Sequence, residues 1–160
     1  MARTVLVVCQ ANTARSVMAQ ALLERLLAAR TPRARVRVRS GGIAHFARDG
    51  MLASLDARLA LREEGIELAE DAFASTDLKQ HRELIAEADL ILTMTARQKE
   101  ALAAFAEAAG KPVFTLRGFI GEDGDIGDPA GQGEDTFRAC RDEIKRCLER
   151  AVERLLVLLA

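Results

Sequence analysis

No stretch of the sequence approaches the roughly 18 consecutive apolar residues of a membrane-spanning helix. The first apolar run, Val5-Leu6-Val7-Val8, is too short for the core of a secretion signal. Charge of one sign is also missing: 23 Lys and Arg face 24 Asp and Glu, a formal net charge of −1. A domain built for a polyanion carries a clear basic excess, so neither nucleic acid nor a membrane is the expected partner. Cysteine is scarce, at three residues, and histidine scarcer, at two, His45 and His81. An odd cysteine count without an export signal fits free thiols in a reducing cytoplasm, which is the expected location. Cys140 and Cys147 fall in one helical segment, about 10 Å apart at 1.5 Å per residue. That exceeds the roughly 7 Å Cα separation a disulfide tolerates.

What is present is a soluble, globular composition, 49% hydrophobic and 29% charged, over 160 residues. That length suits one domain spanning residues 1–160 with its own core. Strand and helix signals alternate along it. Val5 to Val8 reads as a buried strand, and Met18, Leu22, Leu26 and Ala29 recur at helical spacing over 16–29. Arg35-Val36-Arg37-Val38-Arg39 alternates as a strand with one wet face, and Gly41-Gly42 is expected to break it. A helix over 51–64, stopped by Gly65, precedes a shorter one over 78–88. Asp89 to Met94 predicts a third strand, and Thr95-Ala96-Arg97-Gln98 a capping box opening a helix to Ala109, stopped by Gly110. Pro112 to Leu116 predicts a fourth strand. Residues 117–134 hold six glycines and Pro129, a long loop of the kind that is often functional, before a last helix over 135–158. The expected fold is α/β, a three-layer, four-stranded parallel sheet with helices on both faces and right-handed crossovers. In such sheets ligands lie beyond the carboxyl ends of the strands. The loops after Val8 and after Leu116 both open there.

Between the first strand and first helix stands Cys9-Gln10-Ala11-Asn12-Thr13-Ala14-Arg15-Ser16. Five residues between Cys9 and Arg15 can wrap into an arc with backbone N–H groups pointing inward, a nest for an anion. The helix N-terminus adds its partial positive charge, and Arg15 a planar fork matched to phosphate oxygens. Such a field favours the thiolate of Cys9, with Ser16 as its hydroxyl donor. By spacing alone Cys9 reads more readily as a buried strand end and Arg15 as an exposed helix-start charge. The strand-to-helix position is what turns the reading toward a phosphate-binding loop. Asp128-Pro129 supplies a candidate general acid, with Asp123 and Asp125 as competitors.

Val7-Val8-Cys9-Gln10-Ala11-Asn12-Thr13-Ala14-Arg15-Ser16-Val17-Met18-Ala19 resembles the opening of the low-molecular-weight protein tyrosine phosphatase family, a strand followed by C-x-G-N-x-C-R-S and a helix. Asp128-Pro129 before the last helix, Arg39-Ser40-Gly41-Gly42-Ile43, Gly65-Ile66 and Ala88-Asp89-Leu90-Ile91-Leu92-Thr93-Met94 are similar to that family's other landmarks. The resemblance spans essentially the whole chain and implies a phosphatase acting through a phosphocysteine. Cys9 would attack phosphorus, Arg15 and the amides of Gln10, Ala11, Asn12, Thr13 and Ala14 would hold the phosphoryl oxygens, and Asn12 and Ser16 would shape the loop. Asp128 would protonate the leaving group and then activate water. No metal or cofactor is implied; the implied partners are a phosphorylated protein and, in the loop, inorganic phosphate or a similar oxyanion.

Four positions depart from the family pattern. Ala11 replaces a glycine and would be strained if φ is positive there. Ala14 replaces a second cysteine, Glu70 falls where many members carry a histidine behind the loop, and Ala130 stands where an aromatic often follows Asp-Pro. Thr13 bears on the substrate. A protein-arginine-phosphatase branch has threonine there, whereas the tyrosine-directed branch commonly has isoleucine or leucine; a small β-branched filler is the alternative reading. The alternatives of other classes are a non-catalytic phosphate-binding protein and, less favoured, an arsenate reductase, which needs a mid-chain cysteine pair that is missing between Cys9 and Cys140. The stretch from Arg30 to Arg39 holds Arg30, Arg33, Arg35, Arg37 and Arg39; its alternating arginines are expected on the wet face of an edge strand, with nucleic-acid binding the less favoured reading. His45 and Phe46 are either a wall of the cleft or an ordinary loop tip.

Overall fold

The structure, a computed structural model, describes residues 2–30 and 35–160. Arg33 lies outside them. Strand β1 (Arg3–Cys9) is buried from Thr4 to Cys9, as an apolar run covered on both faces requires. Around it stand β2 (Val36–Gly42), β3 (Leu90–Thr93) and β4 (Val113–Thr115), in the order β2-β1-β3-β4 with every pairing parallel. The helices are α1 (Arg15–Arg30), α2 (Leu55–Glu63), α3 (Arg82–Glu87), α4 (Ala96–Leu102), the single turn α5 (Leu116–Phe119) and α6 (Glu134–Leu158).

Alternate residues of β1 feed two separate cores. Val5, Val7 and Cys9 pack with Met18, Leu22, Leu61, Phe137, Ile144 and Leu148, which belong to α1, α2 and α6. Leu6 and Val8 pack with Ile43, Leu78, Ile85, Ile91 and Leu102 on the α3 and α4 side. Each fully buried Val or Leu contributes about 1.5–3 kcal/mol relative to exposure, so β1 is pinned from both directions. Its last residue, Cys9, is consequently held in place. Arg141 fastens α2 to α6, its Nη1 donating to the Ala60 carbonyl at 2.9 Å and meeting Glu63 at 2.7 Å.

The predicted three-layer parallel sheet is present, with differences at its seams. Gly41 and Gly42 do not break β2 but form its last two residues, paired with Val8 and Cys9. Their lack of side chains serves close approach: a Cβ on Gly42 would stand 2.6 Å from the Gln10 carbonyl oxygen, and one on Gly41 2.5 Å from Leu78. Helix α2 begins at Leu55 rather than Met51, because Ser54 caps it, its Oγ accepting from Ala57 N at 3.2 Å. Helix α3 is confined to Arg82–Glu87, since Leu78 to Gln80 form a turn beside the bridge between Gly42 and Asp77. The predicted capping box of Thr95 and Gln98 is formed. Helix α4 nevertheless ends at Leu102 and resumes as a 3-10 turn at Ala106–Ala108, which turns Phe105 and Ala108 into the second core. The 117–134 loop begins inside α5, capped by Thr115, whose Oγ1 accepts from Gly118 N at 2.9 Å. Arg35, Arg37 and Arg39 are exposed along the edge strand β2, as the alternation predicts.

Candidate active site

The turn from β1 into α1 carries a chain of buried, hydrogen-bonded polar side chains. Thr76 N donates to Asn12 Oδ1 at 2.9 Å, which fixes the amide so that Nδ2 donates to Ser16 Oγ at 2.7 Å. Ser16 Oγ, which accepts from Asn12, lies 2.9 Å from Cys9 Sγ, where its hydroxyl proton can be donated to a thiolate. Asn12 N adds a second donor to the same sulfur at 3.3 Å. Two groups thus meet at the sulfur, one of them the end of a relay from backbone to amide to hydroxyl, and Asn12, Ser16 and Cys9 are all buried. Asn12 carries φ of 62°, the sole non-glycine with positive φ among the described residues. Asn tolerates that region better than most residues. Ala11 is therefore not at the left-handed position, and the expected strain at it is absent.

Neighbouring chain fastens the loop from outside. Ile43 N and Ala44 N donate to the Cys9 and Gln10 carbonyls at 3.0 and 3.1 Å, and Ser54 N donates to the Thr13 carbonyl at 2.8 Å. Glu70 is exposed and is not among these supports; the loop is held by Asn12, Thr76 and Ser54 instead. The supports from 43–54 and 76 come from segments far away in sequence, which is why sequence reasoning missed them.

Arg15 begins α1 and is 4% exposed. Its Nη1 donates to the Ile126 carbonyl at 2.7 Å, and its Nη2 lies 4.0 Å from Asp128 Oδ2. The 117–134 loop thereby meets the first loop. Ile126 N also donates to the Met94 carbonyl at 2.9 Å, at the carboxyl end of β3. Asp125 is occupied elsewhere, accepting from Ala96 N at 2.9 Å at the start of α4. Asp123 is exposed and does not line the crevice. Asp128 does line it, half-exposed, with Oδ1 accepting from Ala130 N at 3.0 Å.

The crevice itself, about 280 Å³, is lined by Cys9, Gln10, Ala11, Thr13, Ala14 and Arg15 on its floor. Phe46, Ser54, Asp56, Asp128, Ala130, Gly131 and Phe137 complete its lining. Phe46 is a wall, stacked edge-on by His45 at 5.3 Å between ring centroids; His45 itself does not reach the crevice. Ser54, Asp56 and Phe137 were not singled out from sequence; the signal for the first two is the Ser-x-Asp start of a helix at the same end of the sheet. Cys140 and Cys147 are buried in α6, and burial pushes the Cys140 thiol up to about 12. Neither has the exposed, activated character of a resolving thiol.

A family model described as low molecular weight phosphotyrosine protein phosphatase matches residues 4–156. A protein-arginine-phosphatase of Geobacillus stearothermophilus is 42% identical over 153 residues, covering 94% of this chain and 95% of that protein. The low molecular weight protein-tyrosine-phosphatase PtpB of Staphylococcus haemolyticus is 31% identical over 137 residues, 86% of this chain and 88% of its own. Among solved structures, a mutant of the YwlE arginine phosphatase with a phosphorylated active-site serine superposes with a TM-score of 0.83 at 35% identity, covering 95% of each chain. This chain belongs to the low-molecular-weight phosphotyrosine protein phosphatase family, whose members are cysteine-dependent hydrolases.

Proposed function

We propose that the protein hydrolyses phosphoarginine in phosphorylated proteins through a phosphocysteine on Cys9. The observation that carries the substrate assignment is Thr13, a hydroxyl-bearing residue of the crevice floor beside Cys9 and Arg15. A phosphoarginine side chain brings guanidinium N–H donors up to the phosphorus, and a threonine hydroxyl can accept from one of them; an isoleucine methyl cannot. The 42% identity to a protein-arginine-phosphatase supports the same assignment.

The reaction follows from the donors around the sulfur. The Cys9 thiolate, stabilised by Ser16 Oγ and Asn12 N, attacks phosphorus. An S–P bond forms as the P–N bond breaks, and the electron pair stays on the guanidino nitrogen. Asp128 gives that nitrogen its proton. Arg15 and the inward N–H groups of the loop hold the three phosphoryl oxygens, where charge is spread in a loose transition state. Asp128, now a carboxylate, takes a proton from water as the water oxygen attacks phosphorus. The S–P bond breaks, inorganic phosphate leaves and the Cys9 thiolate returns.

Phosphotyrosine is the second substrate this geometry supports, because the ring of Phe46 walls the crevice and can stack on an aromatic leaving group. Paired kcat/KM values on phosphoarginine and phosphotyrosine peptides, for the wild type and Thr13→Ile, test the assignment. The expected result is a wild-type preference for phosphoarginine that falls by about tenfold in Thr13→Ile, the scale of one lost hydrogen bond to a charged group. An unchanged ratio would remove Thr13 from the argument.

A further inference from the structure

A free carboxylate stands at the mouth of the phosphate crevice, where it opposes an anionic ligand. Asp56 lies in the first turn of α2 and lines the same cavity as Cys9, Thr13, Arg15 and Asp128. Its position relative to the floor is set by two hydrogen bonds: Ser54 N to the Thr13 carbonyl at 2.8 Å, and Ala57 N to Ser54 Oγ at 3.2 Å. The start of α2 is thus tied to the residue that faces the substrate. Among the described residues the Asp56 carboxylate has no hydrogen bond and no ion pair, and it is only partly exposed. The carboxylates at the other end of the same helix are engaged, Glu63 by Arg138 and Arg141, and Glu64 by Arg25 and Lys145.

For a phosphate ester this is an unfavourable arrangement, since a like charge near the dianion weakens binding. For phosphoarginine the sign reverses. The guanidinium follows directly behind the phosphoryl group, carries positive charge and presents N–H donors in a planar fork that a carboxylate matches. We infer that Asp56 is a specificity-determining residue that accepts hydrogen bonds from the substrate guanidinium at the rim, while the loop holds the phosphoryl group. The inference deepens the phosphoarginine reading above and rests on it. Asp56 also complements the N-terminal dipole of α2, and a role confined to the helix would change stability without changing substrate choice.

The test measures kcat/KM on phosphoarginine and phosphotyrosine peptides of identical flanking sequence, for wild type, Asp56→Asn, Asp56→Ser and Asp56→Glu, with thermal midpoints alongside. The expected result is a phosphoarginine-to-phosphotyrosine ratio reduced about tenfold or more in Asp56→Asn and partly restored in Asp56→Glu. Asp56→Ser keeps a residue suited to a helix start and reads the same ratio if Asp56→Asn folds poorly. A ratio within twofold of wild type in the folded variants, with only the midpoint lowered, overturns the inference and leaves Asp56 a helix-start residue. A wild type that hydrolyses phosphotyrosine through Cys9 but not phosphoarginine overturns the substrate reading itself, an outcome visible before any Asp56 variant is made.

Discussion

The two loops that meet at the crevice are built on opposite principles. In the Cys9–Ser16 turn the side chains of Cys9, Asn12 and Ser16 are buried and hydrogen-bonded to one another, and the turn is supported by the 43–54 segment and Thr76. The 117–134 loop carries Asp128 half-exposed and touches the first loop through the Arg15 guanidinium. The contrast separates two chemical requirements. A nucleophile under an oxyanion cage depends on preorganised dipoles, so its loop must be rigid at the level of single hydrogen bonds. A general acid must reach a leaving group that differs in size and has to depart, so it sits at the rim of the open side. Damage to the first loop should therefore appear in stability and activity together, and damage at Asp128 in activity alone.

Asp128→Asn gives the largest effect among the variants that probe this contrast. It removes the transferable proton and preserves shape, so kcat on a phosphoarginine peptide should fall by about 10²–10⁴-fold. The thermal midpoint should stay within a degree or two of wild type, since the carboxylate is half-exposed and makes one long contact to Arg15. A large loss of stability would erase the distinction between the loops. Asn12 sharpens it from the other side. Asn12→Ala strips the donor from Ser16 and the acceptor from Thr76 N, and forces an ordinary side chain to φ of 62°. About 2–4 kcal/mol of stability should go, with activity, measured by denaturant unfolding and steady-state kinetics. Asn12→Gly keeps the backbone conformation, so it should recover about 1 kcal/mol of stability and little of the activity. Equal losses in the two variants would show that backbone strain plays no part.

The smallest effect concerns the wall that carries Phe46. His81 Nε2 meets Asp49 Oδ2 at 2.7 Å, while Asp49 Oδ1 accepts from Asp77 N at 2.7 Å. The Asp49 contact raises the His81 imidazole above its ordinary value of 6.5, and the Asp77 amide first, then His81, lowers the Asp49 carboxyl. A group whose pKa is raised on folding contributes stability that is complete below its unfolded value and is lost as pH climbs through the folded one. The carboxyl runs the other way, its contribution being lost only as pH falls through its lowered value. The midpoint difference between wild type and His81→Gln should therefore be largest near about pH 5.5 and close toward about pH 9. A difference that grows with pH would refute the pairing.

Much of the site was legible in the sequence because its parts are local. The Cys9-to-Ser16 spacing, the strand before it and the helix after it lie in one continuous segment, and the buried run Val5 to Val8 places that segment at the centre of the sheet. What was not legible depends on distant chain. Gly41-Gly42 looked like a strand break, but only the fold shows the Gln10 carbonyl pressed against Gly42. Asp128 stood out beside its competitors Asp123 and Asp125 only by the Asp-Pro pair; the fold adds that Asp125 accepts from the Ala96 amide while Asp128 lines the crevice. Ala11 drew attention as a missing glycine, whereas the left-handed residue is its neighbour Asn12. The place of Asp56 at the crevice was invisible because it depends on the Ser54–Thr13 hydrogen bond across 41 positions of chain.

On the proposed mechanism the preorganised loop exists to carry a covalent phosphoryl group on Cys9. A rapid denaturant quench of the wild type during turnover of a phosphoarginine peptide, followed by peptide mass spectrometry, tests it most directly. The account predicts a phosphoryl adduct on the Cys9 peptide that forms with product arginine and disappears as phosphate is released. Cys9→Ala should show no adduct and a loss of activity on the order of 10⁶-fold. Phosphate release without any adduct, together with substantial activity in Cys9→Ala, would contradict it.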